Sequence, residues 1–267
     1  MLWFVDIVTE TERVTEMERK QILLRIAYQP YKWLIFGPWL VLSTLIFGAV
    51  ALLLVPLAGP RATSRICGRT WARMNGRLTP MSVAVTGREN VDPRQSYVIV
   101  CNHQSQYDIF VLYGWLDIDF RWVLKQELRK IPALGAACDR IGHIFIDRSN
   151  HEKALASINA AKERIRDGTS VLFFPEGSRS SDGRLRPFKK GAFKMAVDMD
   201  LPLLPVTIIG TKDILPNKTI DLFPGRATMI IHPPMNIAGY NDASLPRLMD
   251  QARHVIASAL PPEQRDG

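Results

Sequence analysis

SYVIVCNHQSQYDIF, residues 96–110, is the stretch on which the fold turns. Its first half is a short apolar run of β-branched and aromatic residues, the composition of a buried strand. Its second half places Asn102, His103 and Asp108 immediately after that strand. On one regular helix His103 and Asp108 would lie about 140° apart, so they meet only if the chain turns between them. The polar segment 102–107 allows a turn into a helix that begins near Asp108. Asp108 would then accept the Nδ1 proton of His103 and leave Nε2 as a base near neutral pH. A His–Asp pair that merely closes a loop has the same local pattern.

Outward from this stretch, MSVAV, SYVIVC, FRWVL, HIFI, SVLFF, LLPVTII and ATMII read as strands, with helical segments between them. A helix is expected from Asn150 to about Asp167, with Ser149 and Glu152 at capping-box spacing and Gly168 at its C-terminal end. The fold class is therefore α/β: a mostly buried mixed sheet flanked by helices, preceded by an N-terminal helical membrane anchor. Functional side chains are expected on loops that leave the strand ends.

A second loop, FPEGSRSSDGRLRPFKK, follows another buried strand at residues 174–190. Gly177 lets backbone N–H groups approach a ligand, and the serines add donors. Arg179 has the planar fork that grips a phosphate, and Lys189 and Lys190 add charge. The same residues also suit a solvated surface turn. No Walker motif is present. Lys125, at the end of the FRWVL strand, is a further cation at the same sheet edge.

The anchor is read from residues 33–60, which carry no charge. The 25-residue apolar run 33–57 would measure about 37 Å as a helix, enough for a hydrocarbon core of about 30 Å. Pro38 and Pro56 leave only 17 residues between them, so a spanning helix, a shallow anchor and a buried core helix all remain open. Residues 61–78 follow with five arginines and no acid. Cys67, Thr70, Trp71, Met74 and Leu78 share one helical face, the pattern of a helix lying on anionic headgroups. The division expected is thus 1–78, anchoring helices, and 79–267, the chemical domain. Residues 1–32 hold five acids and five bases, which does not read as a signal peptide.

The net charge is +8, which favours a polyanionic or membrane partner. Three scattered cysteines form no Cys-x-x-Cys and fit a reducing compartment. The five histidines lack metal-ligand spacing, so no metal is expected; His143 and Asp147 are the nearest to a pair. Nucleic acid is disfavoured, because the arginines adjoin an apolar segment. Gly-x-Ser-x-Gly is absent, which disfavours a lipid hydrolase. A non-catalytic lipid-binding module would explain the charge but not His103 with Asp108.

Residues 79–235 resemble the glycerolipid acyltransferase family, and within it the lysophosphatidate (1-acylglycerol-3-phosphate) acyltransferases. NHQSQYD resembles the family's Asn-His-x4-Asp motif. VLKQELRKIPALG, FPEGSRS and LPLLPVTI are similar to its second, third and fourth motifs, in the family order. The resemblance implies an enzyme that moves an acyl chain from a thioester to the 2-hydroxyl of a lysophosphatidate, giving phosphatidic acid in phospholipid synthesis. It makes His103 the general base and Asp108 its orienting partner. It assigns acceptor binding to Glu176, Gly177, Ser178 and Arg179, with Lys125 and Lys189 assisting. Pro202 and Pro205 take acyl-donor or structural roles, and Ser178 stands where many relatives have threonine. No cofactor is implied beyond the co-substrate, coenzyme A or acyl carrier protein thioester. The setting expected is a phospholipid bilayer, of bacterial inner-membrane type or equivalent, with the domain on the cytoplasmic side that the arginine excess favours. Another lysolipid or a hydroxylated lipid as acceptor remains an alternative.

Overall fold

The structure is a computed structural model that describes residues 26–147 and 149–265. By backbone proximity the chain divides after Leu42 into two compact units. In the first, residues 26–31 are helical and Lys32–Phe36 form a π-turn. Helix α1 (Gly37–Thr63) begins in this unit and continues into the second. It is interrupted at Gly59, whose φ is +79° and which precedes Pro60. A proline ring bars the helical conformation from the residue before it, and glycine takes the positive φ without a steric cost.

Within the second unit, α1 buries only its small residues. Ser43 hydrogen-bonds Asn75, Thr44 accepts from Trp71 Nε1, and a Cβ on Gly48 would lie 3.1 Å from Ala133. The opposite side exposes Leu45, Ile46, Val50, Leu53 and Leu57, the last two at 73% and 83%. Only 17% of the most apolar 18-residue window of the helical stretch Ile26–Leu78 is buried.

Residues 64–69 form a second π-turn that runs into α2 (Thr70–Leu78). Its buried face differs from the one expected. Cys67 is buried, but so are Ala72, Asn75 and Gly76, while Thr70 is exposed and Trp71, Met74 and Leu78 are half-buried. The small residues let α2 approach α3 (Tyr107–Trp115) closely. A Cβ on Gly76 would meet Met81 and Trp115, and Trp71 packs on Phe110 at 5.0 Å. Three of the five arginines are also engaged in the protein. Arg69 and Arg73 pair with Asp117, and Arg61 with Asp119. Arg65 and Arg77 remain exposed.

The seven strands expected from the apolar runs all form. They are β1 (Met81–Thr86), β2 (Val98–Cys101), β3 (Asp119–Lys125), β4 (Ile144–Ile146), β5 (Thr169–Phe173), β6 (Leu203–Ile209) and β7 (Gly225–Ile231). They make one mixed sheet in the order β1-β7-β6-β2-β5-β3-β4. Strands β6, β2, β5, β3 and β4 are mutually parallel, and β7 joins β6 antiparallel. The central register pairs Val100 with Phe173 and with Pro205.

Alternation along β2 and β5 sends Val98, Val100, Val171 and Phe173 into one core. There they meet α6 (Gly191–Met199) and α8 (Leu245–Ala259), while α4 (Leu134–Ile141) and the short α7 (Thr211–Ile214) follow β3 and β6. The helix expected after Asn150 is α5 (His151–Ala161), extended by a 3-10 turn to Arg164. Its cap is Asn150, which accepts the N–H of Lys153 at 2.9 Å, rather than a Ser149–Glu152 box. Ser149 instead donates to Asp147. Because the central strands are parallel, the loops after β2, β3, β5 and β6 all leave from the same edge of the sheet.

Candidate active site

The loop after β2 is fastened by its first side chain. Asn102 is buried, and its amide pairs with the backbone of Ile208 as an added rung. Nδ2 donates to the Ile208 carbonyl and Oδ1 accepts the Ile208 N–H, both at 2.8 Å. The chain then turns as the spacing requires, and Asp108 comes back under His103 in the first turn of α3.

His103 Nδ1 lies 2.8 Å from Asp108 Oδ2. The same oxygen accepts the N–H groups of Gln104 and Ser105 at 2.8 and 2.9 Å. Thr211, just past β6, donates its hydroxyl to Asp108 Oδ1 at 2.5 Å. Four donors thus converge on a carboxylate that is fully buried. With Nδ1 donating to this carboxylate, the hydrogen bond sets the tautomer of the imidazole. The imidazole stacks on Phe174, 3.8 Å between centroids and 11° from parallel. Nε2 has no hydrogen-bond partner among the described residues, and the side chain is 15% exposed. The arrangement holds a free ring nitrogen, fixed in tautomer and orientation, at the sheet edge.

The second loop runs alongside the first. Glu176, after β5, accepts the backbone N–H of His103 on Oε1 and that of Arg186 on Oε2. The N–H of Ser180 donates to the His103 carbonyl at 2.9 Å. Burial pushes the Glu176 carboxyl up to about 7, with the Asp108 charge adding to it, against two N–H bonds that favour the ionised form. Gly177 has φ +75°, and a Cβ there would strike the Lys189 side chain at 2.8 Å. Ser178 is exposed and accepts a hydrogen bond from Arg186 Nη1. Arg179 is half-buried, and no partner of its guanidinium is found among the described residues.

The other expected residues sit less centrally. Lys189 is exposed, beside Gly177. Lys125 stands at the end of β3, more than half exposed and paired with Glu127 at 2.8 Å. His143 and Asp147 turn to different partners. His143 is buried, with Nδ1 accepting the Trp122 N–H and Nε2 near Tyr113 Oη, while Asp147 bonds Ser149.

Two side chains near the pair are occupied or inert as nucleophiles. Burial, with the charges of Asp108 and Glu176, pushes the Cys101 thiol well above its usual range. Ser105 Oγ donates to the Leu215 carbonyl at 2.7 Å and accepts the Tyr107 N–H at 3.1 Å. Thr211, Arg186 and Phe174 are functional neighbours that the sequence reading missed. Thr211 lies 103 positions from Asp108, so no local pattern could join them.

Beneath Phe174 and Pro175 lies a cavity of about 590 Å³, within the usual range of ligand pockets. Val123, Ile146, Ile158, Phe173, Ala192 and Met195 give it a predominantly apolar wall. Gly177 and Lys189 stand at its border with the second loop, and Phe174, which stacks on His103, lines it, so an apolar compartment adjoins the imidazole and the cations.

The family model described as Acyltransferase matches residues 82–209, which contain both loops. A 1-acyl-sn-glycerol-3-phosphate acyltransferase of Chlamydomonas reinhardtii is 37% identical over 186 residues, 68% of this chain and 54% of that protein. The mouse 1-acyl-sn-glycerol-3-phosphate acyltransferase alpha is 32% identical over 71% of this chain and 67% of its own length. The chain spans about half the length of its algal and Brassica napus relatives. Among solved structures, that of the 1-acyl-sn-glycerophosphate acyltransferase PlsC from Thermotoga maritima superposes with a TM-score of 0.69. It is 26% identical and covers 90% of this chain and 94% of its own.

Proposed function

The chain belongs to the acyltransferase family, and on that premise we propose that it transfers an acyl chain from an acyl thioester to the 2-hydroxyl of 1-acylglycerol 3-phosphate, giving phosphatidic acid. The observation that carries the reading is the buried Asp108 behind His103, with Nε2 left free beside a cationic loop.

An alcohol is a poor nucleophile and needs a base; a thioester is already activated and needs no covalent relay. The hydroxyl oxygen attacks the thioester carbonyl while its proton passes to His103 Nε2. The carbon–sulfur bond then breaks, and the leaving thiolate takes the proton from His103. Asp108 stabilises the imidazolium between the two transfers. The acceptor phosphate is assigned to Arg179, with Lys189 and Ser178 beside it, which places the hydroxyl and lowers the entropic part of the barrier. Glu176 is assigned to holding both loops, since its two oxygens are taken by backbone N–H groups. The cavity under Phe174 suits the acyl chain of the donor, whether carried by coenzyme A or by acyl carrier protein.

The bilayer is assigned as partner of the exposed apolar side of α1. Because Ser43, Gly48 and Ala51 are buried within the second unit, this half of the helix lies along that unit. That favours a helix seated in one leaflet over one that crosses. The exposed Arg65 and Arg77 suit the anionic, cytoplasmic leaflet.

The test is an assay of purified protein in phospholipid vesicles with a panel of lysolipid acceptors and acyl thioesters, products read by mass spectrometry. Phosphatidate from lysophosphatidate is the expected main product. Faster acylation of an uncharged acceptor, such as monoacylglycerol, would refute the phosphate assignment.

A further inference from the structure

The C-terminal tail reaches the residue next to the base. After α8 the chain closes in a 3-10 turn, Pro262–Gln264, and Gln264 is buried there. Its Oε1 accepts a hydrogen bond from Gln104 Nε2 at 2.6 Å, across 160 positions of sequence. The second proton of the same Nε2 goes to the Gly183 carbonyl at 3.1 Å, in the loop after β5. Since Gly183 offers only an acceptor, the Gln104 amide orientation is fixed, and Gln264 must present its oxygen. The Gln264 backbone carbonyl also accepts the Leu185 N–H at 2.8 Å. Arg253 ties the Leu185 and Arg265 carbonyls together from α8.

The two loops are thereby joined at successive points. Glu176 holds the His103 N–H, Ser180 holds the His103 carbonyl, and Gly183 holds the Gln104 side chain. Gln264 fastens the far end of this seam. The Gln104 N–H shares Asp108 Oδ2 with His103 Nδ1, so a shift of Gln104 disturbs the carboxylate that orients the imidazole and, through the ring, the placement of Nε2.

We infer that Gln264 is a positioning residue: through Gln104 it sets the placement of His103 relative to the loop that carries Arg179. Gln264 touches no reacting atom. Its effect comes from the acceptor it gives the Gln104 amide: Gln104 Oε1 is buried without a partner among the described residues, so the amide is held through its two Nε2 bonds, to Gly183 and Gln264. The inference rests on His103 acting as the base, and not on which acceptor or thioester is used.

The experiment compares full-length wild type with Gln264→Leu, which keeps the bulk and removes the acceptor, and Gln264→Glu, which keeps an acceptor oxygen. Gln104→Ala and the double variant Gln104→Ala/Gln264→Leu complete a cycle. Rates are taken with whichever acceptor and thioester the wild type uses fastest, and His103→Ala is the control. Gln264→Leu should lower kcat about tenfold, a part of the ~10²-fold cost of a misplaced group. The thioester KM should stay within about twofold, with a modest fall in melting temperature from the stranded Gln104 N–H. The Glu variant should recover to within about threefold, and the double variant should lose no more than Gln104→Ala alone. A Gln264→Leu kcat within twofold of wild type, losses that multiply in the double variant, or a Glu variant as slow as Leu would overturn the inference. Were Gln264→Leu not to fold, Gln104→Ala would carry the test: a tenfold loss of kcat there with Gln264→Glu within about threefold of wild type would support the inference, and a Gln104→Ala kcat within twofold of wild type would overturn it. Full activity in His103→Ala would instead refute the assignment of the base.

Discussion

Glu176 Oε1 accepts the backbone N–H of His103 at 2.6 Å, while its Oε2 accepts that of Arg186 at 3.1 Å. One buried carboxyl therefore spans the two loops, and burial raises it from 4.5 to about 7. In the unfolded chain this group ionises near 4.5, and in the folded chain near 7. Its contribution to stability is full below pH 4.5 and is lost as pH rises to about 7, because the folded state holds the proton longer. Glu176→Gln cannot ionise. Thermal unfolding between pH 4.5 and 7.5 should show a shallower decline in the variant than in wild type. Parallel curves would show that Glu176 titrates as an ordinary carboxylate.

Asp108→Asn should lower both turnover and stability. It puts an NH2 group among four donors that converge on a buried carboxylate. Thr211→Val removes only the donor to Oδ1. Hydrogen bonds to charged groups contribute about 1.5–3 kcal/mol, so a stability loss on that order is expected, with a smaller effect on turnover than Asp108→Asn. Denaturant unfolding together with kcat checks both. Unchanged stability in Asp108→Asn would contradict the network.

The sheet was legible in the sequence. Seven apolar runs bounded by polar turns became seven strands: β2, β5 and β6 are buried on both faces and read as continuous apolar runs, while β1 and β7 alternate, and both signals are local. The His103–Asp108 pair was legible for the same reason, since its members lie five positions apart. What joins distant segments was not. Thr211 reaches Asp108 from beyond β6, Gln264 reaches Gln104 from the tail, and neither has a local signature. The role of Glu176 was hidden because its partners are backbone N–H groups, to which residue type gives no clue. For α2 the arginine pattern was visible, but not its cover. Gly76 and Asn75 face α3 and other helices of the unit because small residues permit close approach, although an apolar scale would place them outside. Asn150 took the helix cap from Ser149 one residue away, within the usual uncertainty of helix ends.

Arg179→Ala should raise the KM for lysophosphatidate at least tenfold and leave the thioester KM nearly unchanged, since a charge-assisted contact to phosphate is removed. Lys125→Ala should change the acceptor KM by less than about threefold, an exposed pair such as Lys125–Glu127 being worth roughly 0–1 kcal/mol. Steady-state kinetics with each substrate varied in turn separates the two. Equal effects of both substitutions on both KM values would remove the division of labour between them.

Arginines of the 61–78 segment should fall into two groups. Arg65→Gln with Arg77→Gln should weaken sedimentation with anionic vesicles, by about 1 kcal/mol per charge at low salt. Arg69→Gln with Arg73→Gln should chiefly lower thermal stability, because these side chains pair with Asp117. Vesicle binding that depends equally on all four would show that the Asp117 pairs open at a membrane.

His103, oriented by Asp108, is proposed as the base of an acyl transfer. The rate of phosphatidate formation from lysophosphatidate and an acyl thioester, by wild type and His103→Ala in the same vesicles, tests it most directly. A loss of about 10² or more is expected in His103→Ala, the scale of a removed general base, with the melting temperature nearly unchanged. A folded His103→Ala protein that acylates lysophosphatidate at close to the wild-type rate would contradict it.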